Sequence, residues 1–166
     1  MKKMIPILCM LFLFYFYINK DTIIIPTYSI RFRVIANSDS KSDQETKIQV
    51  YQEVEKQLNQ YMAKSRSSKE AKQYIEEELP KIQSIVNQYT LDSKIALGQN
   101  YFPEKEYRGV VYQSGNYDSL VITLGSGLGE NWWCVMYPPL CMLEAEEQEE
   151  VEYRFLIQDL LQKYSS

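Results

Sequence analysis

Two stretches of this chain each carry one apolar stripe at helical spacing, and they constrain the fold more than anything else in it. From Asp43 to Met62, the residues Ile48, Tyr51, Val54, Leu58 and Tyr61 recur every three or four positions. From Ser67 to Tyr89, the residues Ala71, Tyr74, Ile75, Leu79, Ile82, Ile85, Val86 and Tyr89 do the same. Only a short polar break, "AKSRSSKE", separates the two, which predicts an antiparallel helical pair. Neither greasy side can stay in water, so the rest of the chain must supply a sheet for both to cover. Ser42 with Glu45 and Ser67 with Glu70 have capping-box spacing, in which a side-chain oxygen satisfies orphan amides at a helix start. Pro80 lies inside the second stripe and predicts a kink or a break, because proline lacks an amide donor and crowds the preceding turn.

The remaining sequence reads as strands. "YSIRFRVIANS" alternates, with Ile30, Phe32 and Val34 on one side and Arg31, Arg33 and Ile35 on the other, the pattern of a strand with one buried face. "SKIALGQNYF" holds a short strand around Ile95 and Leu97. "RGVVYQSG" and "DSLVITLGS" flank a turn-forming "SGNYD", and Leu120, Ile122 and Leu124 point inward. In "WWCVMY", Trp133, Val135 and Tyr137 alternate with Trp132, Cys134 and Met136. A terminal helix follows in "EVEYRFLIQDLLQKY", with Phe155, Ile157, Leu160 and Leu161 apolar. Strands joined by short turns are expected to pair antiparallel. The fold class is therefore α+β: a mostly antiparallel sheet of four to five strands, covered by a helical pair, with a C-terminal helix.

The chain of 166 residues contains no histidine. That removes the commonest general base and metal ligand, and with them any Ser-His-Asp or Cys-His nucleophile. No catalytic residue, metal site or cofactor is expected. Fourteen tyrosines dominate the aromatics, which suits either half-buried packing or a surface that meets other proteins. The start, "MKKMIPILCMLFLFYFYINK", places Lys2 and Lys3 before an uncharged apolar run of 15 residues, Met4 to Ile18. That length fits an export signal better than a membrane span. No small-residue cleavage site follows, so a cleaved signal peptide and an uncleaved anchor both stay open. Residues 1–25 are assigned to this leader and 26–166 to one exported domain. Cys9, in mid-run, does not look like a lipid-attachment cysteine. Residues 26–166 carry 15 basic and 21 acidic side chains, near −6, which disfavours nucleic acid as a partner. The acidic run Glu144, Glu146, Glu147, Glu149, Glu150 and Glu152 reads as a solvated face.

Both tryptophans and two of the three cysteines fall in "GENWWCVMYPPLC", residues 129–141. In an exported protein, Cys134 and Cys141 are candidates for a disulfide closing "VMYPPL"; two buried free thiols are the alternative. Gly125, Gly127 and Gly129 in "LGSGLGEN" resemble a phosphate loop only superficially, because a strand follows where a helix is needed. A flexible connection, or backbone that approaches a partner, fits better. Trp132 and Trp133 should face opposite sides of their strand. One belongs to the core, and the other is exposed unless a partner or the terminal helix covers it.

Three stretches in this order, "IRFRVIANSDSKSDQETKIQV" (30–50), "GNYDSLVITLGSG" (115–127) and "GENWWCVMYPPLC" (129–141), resemble the stage II sporulation protein R family of endospore-forming bacteria. The similarity spans residues 26–143. The resemblance implies a protein made in the forespore and exported into the intermembrane space. There it would activate a membrane-embedded aspartic protease of the mother cell, which processes pro-sigma-E. It implies a non-catalytic signal that acts by binding, with no small-molecule substrate. If the leader is uncleaved, residues 4–18 would also hold it on the membrane. The resemblance assigns no residue roles. Candidate partner contacts are Asn37, Asp39 and Asp43 in the "NSDSKSD" loop, then Asn131, Trp132 and Trp133. The rival functions are a membrane-tethered structural module and an exported wall hydrolase using paired carboxylates, although no spacing selects such a pair.

Overall fold

The computed structural model describes residues 23–107, 109–141 and 150–165. Residues 1–22 of the leader and the acidic run from Glu144 lie outside the described residues, as do the side chains of Glu150 and Glu152, whereas residues 23–25, assigned to the leader, belong to the fold. Ten elements follow one another: β1 (Ile23–Ile24), β2 (Ile30–Ile35), α1 (Lys41–Met62), α2 (Ser68–Val86), β3 (Ser93–Phe102), β4 (Lys105–Tyr107), β5 (Val110–Tyr112), β6 (Gly115–Leu124), β7 (Asn131–Tyr137) and α3 (Glu150–Tyr164). The α+β class holds.

The main sheet has the order β3-β6-β2-β7. β3 pairs antiparallel with β6, β7 antiparallel with β2, and β2 parallel with β6. Leu120, Ile122 and Leu124 of β6, with Ile30, Phe32 and Val34 of β2, form the buried face under the helices. α1 contributes Val50, Tyr51, Val54, Leu58 and Met62, and α2 contributes Ala71, Ile75, Ile82 and Val86. The helices run antiparallel, since Gln57 and Tyr61 both donate to the Glu78 carboxylate at 2.6 and 3.1 Å, and Tyr61 meets Tyr74.

Several expectations are corrected in detail. α1 is capped by Ser40, not Ser42: the Asp43 amide donates to Ser40 Oγ at 3.2 Å, so the helix starts earlier and Asp43 takes the third position. The Ser67 cap is as read, with the Glu70 amide on its hydroxyl. Pro80 does not break α2; it is exposed, and the helix continues to Val86.

β5 and β6 follow one another closely yet do not pair, because β2 and β3 already occupy both edges of β6. β5 joins a second sheet, β1-β5-β4, parallel to β1 and antiparallel to β4. The two short outer strands β1 and β4 carry no sequence pattern long enough to be read. This sheet and α3 cover the back of the main sheet, where Ile23, Ile25, Val110, Tyr112, Val135, Leu140 and Ile157 form a second core. β2 is therefore buried on both faces, and Arg31 is fully buried rather than solvated. On α3, Ile157 is buried, Leu160 and Leu161 are partly buried, and Phe155 points to solvent instead of the core. On β7, a bulge opposite Ile30 and Arg31 interrupts the alternation, so Met136 and Tyr137 both reach the helical core.

Candidate functional site

The two polar stretches singled out in the sequence, 36–43, which runs into the first turn of α1, and 125–131, which runs into β7, meet at one end of the molecule. Asn37 joins them. Its carbonyl oxygen accepts from Ser126 Oγ at 2.8 Å and from the Leu128 amide at 3.1 Å, and its side-chain oxygen accepts from the Ser126 amide at 3.0 Å. Its side-chain amide donates to Asp43 Oδ2 at 2.9 Å. Asp43 accepts from Ser38 Oγ as well, and these two donors hold its carboxyl below the usual carboxylate range. Asp39 Oδ1 takes the Glu130 amide at 2.7 Å. Lys47, nearly buried beneath, donates to Gln44 and to the Glu130 carbonyl; burial lowers its pKa.

The glycines make this fit possible. Gly125 and Gly127 adopt φ of 54° and 63°, the left-handed region. A Cβ on Gly129 would collide with the Ser38 carbonyl. The backbone that this loop approaches is the chain's own, at Ser38.

Asn131 opens β7 and is exposed. Trp132 and Trp133 take opposite faces, both half-buried. Trp132 packs on Tyr51 at 5.2 Å, and its indole N–H finds no acceptor among the described residues. Trp133 stands edge-on to Phe102 and Tyr112 at 5.9 and 5.8 Å. Tyr112 and Lys105 of the second sheet cover it. Asn131, Trp132 and Trp133 also line a pocket of about 160 Å³ with Lys105, Tyr107 and Tyr112. Cys134 and Cys141 are joined in a disulfide. The structure thus brings Asn37, Asp39, Asp43 and Asn131 to one end and divides the tryptophans between two cores.

Two features escaped the sequence reading. The Arg31 guanidinium lies within a ring of aromatics, 4.3 Å from the Tyr117 centroid, 5.3 Å from Tyr112, 5.8 Å from Trp133 and 6.0 Å from Phe102. Its only signal was apolar sequence in "GVVY" with no other surface to cover. The second feature is that the loops beside Asn37 carry bare leucines, Leu91 and Leu128. Alternation rules say nothing about loops, so these had no signal.

The fold and this end of it define a small disulfide-bonded α+β domain whose polar loops hold its own surface in a fixed shape. The chain belongs to the stage II sporulation protein R family, whose model matches residues 26–147. It is 36% identical over 141 residues to Stage II sporulation protein R of Bacillus subtilis (strain 168), an alignment that covers 81% of this chain and 62% of that protein. The chain thus matches less than two thirds of that relative's length. No solved structure matches it.

Proposed function

We propose that this protein is an exported sporulation signal that acts by binding, without catalysis, and activates a membrane-embedded aspartic protease of the mother cell that processes pro-sigma-E. Membership of a sporulation protein family supports the setting. The Cys134–Cys141 disulfide supports an oxidising compartment outside the cytosol. The observation that carries the binding role is the interlocking of loops 36–43 and 125–131. Their polar groups satisfy one another and fix a surface in advance, which lowers the entropic cost of docking. A ligand shifts its receptor only by binding one of its states better than the other, so this domain would favour the active arrangement of the protease's outward-facing part.

The test is a pull-down of the full chain with that outward-facing region, paired with a glycan-release assay on the purified protein. Capture without glycan release is expected. Turnover of wall glycan, or no capture under conditions where both partners are folded, overturns the reading.

A further inference from the structure

The end of the molecule that carries Asn37 presents two leucines to solvent. Leu128 is 81% exposed and Leu91 is 85% exposed. Single exposed apolar residues are ordinary. These two sit on neighbouring loops, because the Gly125 amide donates to the Asp92 carbonyl at 2.7 Å. Leu128 is also rigidly mounted. Its own amide bonds Asn37 O, the Gly129 amide bonds Ala36 O at 3.0 Å, and Gly125 and Gly127 hold the left-handed turns before it. A loop built this tightly around a bare leucine presents an anchor already in its bound shape.

The ground around the anchors is acidic. Asp39, Asp92 and Glu130 are exposed, Asp43 is half-exposed, and Glu45 lies beside Lys41. Lys47, buried beneath, faces Glu130 and Asp39, and with the exposed Lys41 and Lys94 it still leaves the five carboxylates in excess over three lysines. Between the loops lies a recess of about 260 Å³, lined in part by Asn37, Asp43, Thr46, Asp92 and Gly125.

We infer that this tip, with Leu91 and Leu128 as anchors and Asp92 and Glu130 beside them, is the surface that docks on a partner protein whose apolar recess is bordered by lysine or arginine side chains. The inference rests on the proposed binding role and assigns it a surface. Charge favours that partner over a phospholipid surface, since bacterial anionic headgroups would repel these carboxylates.

The experiment expresses the full chain in a sporulating strain that lacks its own copy, and reads sigma-factor processing. Leu91→Ser/Leu128→Ser should lower processing at least about tenfold, with export and disulfide formation unchanged. Asp92→Lys/Glu130→Lys should also lower it. Tyr101→Ser, an exposed apolar residue elsewhere, should leave it intact. Normal processing by the double leucine variant overturns the surface and leaves the signalling role standing. Failure of the wild-type chain to restore processing overturns both. Flotation of the purified chain with anionic vesicles, lost in the leucine variant, would assign the tip to lipid and overturn the partner named here.

Discussion

Arg31 shows how much a single side chain can require of its surroundings. A guanidinium without exposed surface lies here over four rings, whose negative faces attract the cation. Arg31→Ala leaves a void between those rings and should cost at least about 3 kcal/mol in urea denaturation. Arg31→Lys should recover only part, because a compact ammonium cannot lie flat against several rings. Asp43 is the second case. Its folded pKa lies below the unfolded one, owing first to Ser38 and then to Asn37. The stability it contributes is therefore full above the ordinary carboxyl range, about pH 4, and is lost as pH falls through the depressed folded value. The stability difference between wild type and Asp43→Asn, followed by denaturation at stepped pH, should shrink on acidification. A constant difference would assign its role to shape alone.

Pro80 and the disulfide are decided by whole elements. α2 runs through Pro80 because its apolar face, Ile75, Ile82 and Val86, is buried against α1 and the main sheet, which outweighs one missing amide bond. Pro80→Ala restores that bond at an exposed position and should raise stability by about 1 kcal/mol, seen as a higher Tm. The Cys134–Cys141 bridge closes a short ring from the end strand of the main sheet to the segment that carries Leu140 into the second core. Cys134→Ala/Cys141→Ala should lose about 2–3 kcal/mol, and reductant should then have no further effect on its denaturation curve.

At the scale of the molecule, one sheet separates two cores, and the N-terminal residues Ile23 and Ile25 belong to the second. β1 holds them there by pairing with β5 and by the Ile25 amide on Val111 O at 3.2 Å. A domain beginning at residue 23 should therefore exceed one beginning at residue 26 by roughly 2–4 kcal/mol, compared by chemical denaturation. What the sequence determined by itself was local or periodic. The stripe of α2, that of α1 from Tyr51 to Tyr61 though not Ile48, the inward row Leu120, Ile122 and Leu124, and the Ser67 cap depend on near neighbours in the chain, so spacing alone reveals them. What only the tertiary structure decided depends on residues far apart. β5 turned to the second sheet because both edges of β6 were taken. Arg31 became a core residue because a second layer covered its face. Asn37 tied the glycine loop to the first polar loop across 89 positions. No window along the chain contains both partners of such a contact; each arises only when the packing of every other element has already chosen where they meet.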